Sequence, residues 1–259
     1  MGHPMFSAAA EDYDRLMGRF IPSLAPLFAD TAEIVGTERA LDVGCGPGGL
    51  TRELARRVGP DSVTAIDPSP LFVEACRERV PGVHAHVGVA ESLPFEDGAF
   101  DAALSSLVVG FMSDPAQGVR EMTRVTRPGG VVALCFWDVT RMEALAGFWR
   151  AAQAVVPSAP GERLAGTREG ELGGLLASAG CTDIVETTIA AAADYAGFDD
   201  YWAAFSGGVG PVGSYYATLD PETQGRVRAT AHEMMGSPDG PFTLAGIAWA
   251  ARGTAPARN

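Results

Sequence analysis

Short apolar runs and longer amphipathic stretches alternate through the first half of the chain. Residues 39–43 (RALDV) read as a short apolar strand whose run contains an acid. In 48–58 (GGLTRELARRV), Leu50, Leu54, Ala55 and Val58 fall on one face at helical spacing, which predicts an amphipathic helix. A strand follows at 62–66 (SVTAI), with Asp67 and Pro68 at its exit. A helix at about 69–79 comes next, and its Ser69 is a good N-cap. Strands at 83–87 and 100–105 flank a turn-rich segment, PFEDGA. A helix over about 115–126 should stop at Arg127-Pro128-Gly129-Gly130, because proline cannot continue a helix and glycine favours its closing turn. The run 131–137 (VVALCFW) is continuously apolar and rich in β-formers, as expected of a strand buried on both faces.

Five strands separated by helices or long loops predict an α/β fold with a parallel, doubly wound sheet. Right-handed crossovers then place helices on both faces. The second half reads differently. Helices are expected within 147–156 and 169–180, a sixth strand at 181–188 and a seventh at 242–252. Between the last two strands lies an insertion, 189–241, rich in aromatic residues and glycine. A segment that long inside a compact domain is usually functional, often a lid. Within it Phe198, Tyr201, Trp202 and Phe205 follow helical spacing and form one stripe. The stripe either packs on the domain's own core or roofs a pocket, with 207–214 (GGVGPVGS) as a flexible flank and Trp202 and Phe205 facing a substrate.

Composition narrows the function classes. With 19 basic and 32 acidic residues the net charge is −13, and no Lys/Arg stripe offers the basic footprint that nucleic acid needs. No run approaches the roughly 18–20 apolar residues of a membrane span, and no basic n-region precedes an apolar run at the N-terminus, so a cytoplasmic enzyme without membrane or nucleic-acid partners is expected. Cys45, Cys76, Cys135 and Cys181 are widely spaced, so no metal site is expected and all four read as buried free thiols.

The sharpest chemical signal is Leu41-Asp42-Val43-Gly44-Cys45-Gly46-Pro47-Gly48-Gly49, at a strand exit that opens a helix. Its glycines let a ligand approach the backbone closely, at the carboxyl end of a strand where α/β sheets bind ligands. Gly44, Gly46 and Gly49 also fit the dinucleotide fingerprint. Asp42, however, would repel a pyrophosphate and attract a cation, and Pro47 removes an N–H that a phosphate could use. Asp67, at the end of the next strand, is placed to accept hydrogen bonds from ribose hydroxyls.

LDVGCGPGGLT, AIDPSP, AESLPFEDGAFDAALSS and REMTRVTRPGGVVAL, in that order over about residues 38–137, resemble the successive motifs of class I S-adenosylmethionine-dependent methyltransferases. They are most similar to the ubiquinone/menaquinone-biosynthesis type and related small-molecule methyltransferases. The resemblance implies a single Rossmann-like domain over 1–259. Its seven-stranded sheet would be mostly parallel with an antiparallel last strand, over a helical cap (1–37) and a cofactor-binding core (38–137). It implies that Asp42, Gly44 and Gly46, with Cys45 and Gly48 of the same loop, hold the methionine end of S-adenosylmethionine. Asp67 would bind the ribose, Pro68, Ala90 and Glu91 would lie about the adenine, and Ser105 and Ser106 would sit between the methionine moiety and the acceptor. Relatives commonly read G-D-A-E where this chain has Gly88-Val89-Ala90-Glu91, so an adenine contact would come from backbone or from Glu91. Tyr13 and Arg19, in an opening segment that also resembles the family's, would either line the cofactor or acceptor site or belong to an ordinary surface helix. Gly110, expected in the substrate pocket with Trp202 and Phe205, stands where relatives often carry a histidine, so a base of that kind is not expected there.

Methyl transfer is an in-line displacement, and a protein base is needed only when the acceptor must lose a proton of high pKa. His3, His84, His86 and His232, and the tyrosines Tyr195, Tyr201, Tyr215 and Tyr216, are not expected to be catalytic. A small, largely apolar acceptor is expected; its identity, the atom methylated and the oligomeric state are left open. Two alternatives also stay open: a protein that binds S-adenosylmethionine without methylating, or that uses it for another reaction, and a NAD-dependent oxidoreductase, which Asp42 and Pro47 disfavour.

Overall fold

The computed structural model describes residues 10–36, 39–161 and 164–257; His3 and the first nine residues of the expected cap lie outside these. Seven strands form one sheet: β1 (Ala40–Val43), β2 (Val63–Asp67), β3 (His84–Val87), β4 (Phe100–Ser106), β5 (Thr126–Met142), β6 (Thr182–Tyr195) and β7 (Phe242–Thr254). Their order is β3-β2-β1-β4-β5-β7-β6. The first five are mutually parallel, and β7 inserts between β5 and β6 antiparallel to both. The fold is therefore the expected Rossmann-like, doubly wound sheet with an antiparallel last strand. β1 is buried along its whole length, as a central parallel strand covered on both faces must be.

Helices cover both faces. On one side, Leu24 and Phe28 of α2 (Ile21–Thr31), Leu54 of α3 (Gly49–Val58) and Phe148 of α6 (Glu143–Val155) join one core cluster. On the other, Val119 and Met122 of α5 (Pro115–Val125) and Leu172 and Leu176 of α7 (Glu171–Ser178) join a second. α1 (Ala10–Tyr13) continues into a π-helical turn, Asp14–Gly18, ahead of α2. Ser69 caps α4 (Pro70–Arg79) as expected, its hydroxyl oxygen accepting from the Phe72 N–H at 3.4 Å. α5 ends at Val125, so the Pro-Gly-Gly stop works, but the strand ladder already starts at Thr126. Residues 127–130 bulge out of it, since pairing moves from Phe100–Thr126 directly to Ala102–Val131.

The insertion differs from the sequence reading at both ends. β6 runs on to Tyr195, seven residues past the expected strand. Ile189, Ala191, Ala193 and Tyr195 face inward while the alternate alanines stay exposed. Alanine on both faces hides this alternation from hydrophobicity alone. The remainder folds into α8 (Phe198–Ala203), α9 (Gly210–Thr218) and α10 (Pro221–Met234), so the expected flexible flank 207–214 is partly helix. The aromatic stripe is core. Phe198, Tyr201, Trp202 and Phe205 are all buried, with the Phe205 ring 4.8 Å from that of Phe148 on α6 and the Tyr201 hydroxyl donating to the Ala144 carbonyl at 2.7 Å.

Candidate active site

The chain winds outward from β1 to β3 and then back through β4 and β5, so a crevice opens at the carboxyl ends of β1 and β4. The glycine loop fills its floor. Gly44 has φ +76°, and a Cβ there would stand 2.4 Å from a Val108 methyl; its N–H donates to the Ile66 carbonyl at 2.7 Å. Gly48, at φ +96°, begins α3 against Cys76 of α4. Only glycine meets both demands, a left-handed backbone and no side chain.

Two buried carboxylates flank the loop. The Asp42 Oδ2 accepts from the Thr51 hydroxyl at 2.7 Å, while Oδ1 is buried without a hydrogen-bond partner. Burial, with the nearby Asp67 charge adding to it, raises the Asp42 pKa to about 7 against the opposing Thr51 hydrogen bond. An unpartnered carboxylate oxygen in that position fits the ammonium of the methionine moiety, which would satisfy it and favour its charged form. Asp67 accepts the Gly46 N–H at 2.9 Å on Oδ2 and the Ser69 N–H at 2.8 Å on Oδ1. Burial pushes its pKa up to about 6. A carboxylate offers about four acceptor positions, so two remain for ribose hydroxyls. The donor set thus fits S-adenosylmethionine.

Two clefts meet at Tyr13. The first, of about 540 Å³, is walled by Asp42, Gly44, Cys45, Gly48 and Ser106, with Asp14 and Arg79 at its side. Arg79 and Asp14 form an ion pair at 2.8 Å that ties α4 to the opening segment. The second, of about 510 Å³, is almost wholly apolar: Met17, Leu107, Phe111, Phe136, Trp137 and Val212 are among its walls. Burial, then the neighbouring Asp67, pushes the Tyr13 phenol well above its ordinary pKa. Leu107 has φ +61° at the exit of β4, a conformation that costs a branched residue about 1–3 kcal/mol; its N–H donates to the Cys135 carbonyl at 2.8 Å. That backbone sets its side chain against the apolar cleft, and nothing in the local sequence signals it.

The expected site residues divide. Asp42, Gly44, Cys45, Gly48, Ser106 and Tyr13 line the first cleft, and Gly46 and Asp67 are joined at its edge. Ser105 is buried and donates to the Val43 carbonyl at 2.9 Å, bracing β4 against β1. Pro68 follows Asp67 at the end of β2, and Ala90 is packed in the second core cluster. Glu91 has one oxygen in structural use: its Oε1 accepts the Ser113 N–H and hydroxyl at 2.7 and 2.8 Å. Arg19 is placed elsewhere. Its guanidinium donates to Asp200 at 2.9 Å and stands over the Tyr195 ring, clamping the opening segment to the insertion. Trp202 and Phe205 line neither cleft; the insertion reaches the apolar cleft through Val209, Gly210, Pro211 and Val212 instead. Gly110 also lies outside both, and a Cβ there would stand 2.6 Å from the Phe136 ring. His86 packs on Phe95 at the sheet edge, and His232 on Phe198. Tyr216 accepts from the Trp202 indole at 3.2 Å. Among the described residues, no helix is long and apolar enough to cross a membrane.

Residues 41–134 match the family described as methyltransferase domain. An uncharacterised methyltransferase of Mycobacterium tuberculosis is 39% identical over 140 residues, covering 54% of this chain and 54% of that protein. The malonyl-[acyl-carrier protein] O-methyltransferase of Serratia marcescens is 34% identical over 152 residues, covering 56% of each. The chain spans about half the length of the curated relatives it matches. Among solved structures, a Bacillus halodurans protein assigned to the methyltransferases superposes with a TM-score of 0.59 at 18% identity, over 91% of this chain and 100% of that one, and so shares the fold.

Proposed function

Because the chain carries the cofactor core of the class I S-adenosylmethionine-dependent methyltransferases, we propose that it transfers a methyl group to a small, largely apolar acceptor. The observation that carries this reading is the junction at Tyr13, where a cleft holding the unpartnered Asp42 oxygen meets an apolar one. One relative is named for O-methylation of malonyl-[acyl-carrier protein], which supports a small acyl or similar acceptor group.

When bound, S-adenosylmethionine supplies a methyl group already activated by its sulfonium. The residues of this chain then bind, orient and exclude water. Asp42 would hold the ammonium, and Asp67 the ribose hydroxyls. The backbone at Gly44 would allow close approach, and Met17, Leu107 and Phe136 would wall off water on the acceptor side. No histidine lines either cleft among the described residues, and the Tyr13 phenol stays protonated near neutrality. Tyr13 can therefore donate a hydrogen bond but not take a proton. An acceptor whose nucleophilic atom is ready without a base suits such a site.

Calorimetry with S-adenosylhomocysteine and with NADH tests the cofactor half; binding of the first and not the second is expected, and the reverse would overturn it. Transfer of label from S-adenosylmethionine to a panel of small apolar acids, phenols and amines, against oligonucleotide and peptide controls, tests the acceptor half. Cofactor binding without transfer to any of them would favour a non-methylating role.

A further inference from the structure

The apolar cleft is more restrictive than its size suggests, because its walls offer almost nothing to an ion. Among the described residues, no acidic, basic or histidine side chain lines it. Its side chains with an N–H or O–H are Trp137 and Tyr13. The Trp137 indole N–H already donates to the Met17 sulfur at 3.3 Å. That leaves the Tyr13 hydroxyl, at the junction with the cofactor cleft, where Phe72 of α4 meets the ring edge-on at 5.7 Å. The carboxylates nearest Tyr13 belong to the cofactor side and are engaged there. Asp14 is paired with Arg79 at 2.8 Å, Asp67 holds the Gly46 and Ser69 N–H groups, and the open oxygen of Asp42 faces the place of an ammonium. Burial raises the Tyr13 phenol, so it enters the junction as a hydrogen-bond donor.

We infer that the acceptor is the carboxylate of an otherwise apolar acid and the product its methyl ester, with Tyr13 orienting the acid by donating to the oxygen that does not react. This rests on the cofactor reading above. A nucleophile entering this cleft meets no base, so it must arrive without its proton. Alcohols, phenols and amines hold theirs at neutral pH, with values of about 10 or more, whereas a carboxylic acid at about 4 is already ionised. An ion in an uncharged cleft needs a partner of opposite charge. The walls supply none, and the sulfonium of the bound cofactor does.

One carboxylate oxygen attacks the methyl carbon in line with the C–S bond. That bond breaks, its electron pair stays on sulfur, and the products are a methyl ester and a neutral thioether. No proton moves. The opposite charges cancel as the new bond forms, so uncharged walls favour the transition state over the separated ions. Specificity follows from the same walls. A phenol or alcohol brings a proton that nothing lining the cleft takes. A protonated amine sets a second positive charge against the sulfonium. The rings of Phe111, Phe136 and Trp137 suit the hydrocarbon part of the acid.

The test measures binding by calorimetry on the full chain saturated with sinefungin, which carries an ammonium-bearing carbon in place of the methylated sulfonium, or with S-adenosylhomocysteine, whose sulfur is neutral. Octanoate and phenylbutyrate should bind the sinefungin complex about tenfold more tightly than the other, and octanol should bind both alike. Tyr13→Phe should weaken octanoate binding to the sinefungin complex about tenfold and leave octanol binding unchanged. An equal loss for both would reduce Tyr13 to packing. With labelled S-adenosylmethionine, the methyl transferred to these acids should be released as methanol by mild alkali. At saturating cofactor its rate should stay flat from about pH 6.5 to 8.5, since the acid is ionised throughout. Equal octanoate affinity in the two complexes, no transfer to either acid, or transfer to octanol, octylamine or octanethiol instead would overturn the inference. A chain that binds neither sinefungin nor S-adenosylhomocysteine would sink the cofactor reading. One that binds both and treats octanoate and octanol alike sinks this inference alone.

Discussion

Asp42 and Asp67 sit within one loop of each other, yet they are satisfied differently. Both oxygens of Asp67 already accept backbone N–H groups, whereas one oxygen of Asp42 has none. Asp67 therefore shapes the loop, and under the proposed function its remaining acceptor positions would serve a ribose. Removing a charged hydrogen-bond acceptor costs about 1.5–3 kcal/mol, so Asp67→Ala is expected to weaken S-adenosylhomocysteine binding about tenfold or more by calorimetry. Asp67→Asn, which keeps one acceptor oxygen, should lose less. Equal affinity in all three proteins would mean that the ribose is held elsewhere.

Of the two readings that spacing left open for the aromatic stripe, core or roof, packing selects the core, while the expected flexible flank supplies the residues that face the apolar cleft. Trp202 of α8 and Phe205 just beyond it lie on Phe148 of α6, while α9 presents Val212 to the apolar cleft. Truncating a buried phenylalanine usually costs about 3–5 kcal/mol, and each kcal/mol lowers the melting temperature of a domain this size by about 2–4 °C. Phe205→Ala should thus melt on the order of 10 °C lower, while the folded fraction keeps its S-adenosylhomocysteine affinity. A variant with unchanged melting and altered acceptor preference would return the stripe to the pocket.

The molecule as a whole should carry an unusual pH dependence. Asp42 and Asp67 titrate near 7 and 6 when folded, against an ordinary value of 3.8. A raised folded value means that their contribution to stability is complete below about pH 4 and is lost as pH rises toward 7. Glu53, held near 2 chiefly by Arg56 and then Arg57, has the opposite sign, but its contribution is already complete near pH 6. Between pH 6 and 8 the cofactor-free protein should therefore lose stability, by at most a few kcal/mol for two such groups. Asp42→Asn should flatten that slope in thermal melts. S-adenosylhomocysteine binding near pH 6.5 should release protons, as an ammonium draws Asp42 into its charged form, and calorimetry in buffers of different ionisation enthalpy measures this. A wild-type slope identical to that of Asp42→Asn would show that Asp42 is already charged without ligand.

Periodicity and the order of the loop motifs were enough to read the winding of β1 to β5, the glycine turn and the paired Asp42 and Asp67, because each is set by residues close in the chain. Gly44 needs φ +76° beside Val108, and such a demand leaves its mark on the residue type itself. The length of β6 was not legible, since its alanines read alike on both faces until α2 and α8 cover one of them. Nor could the chain alone say that Glu91 is spent on Ser113, that Arg19 is spent on Asp200, or that Leu107 rather than Gly110 walls the apolar cleft. Each of these depends on a partner far away in sequence. A polar or apolar side chain announces that it needs a partner, but only packing decides which of several eligible partners it meets.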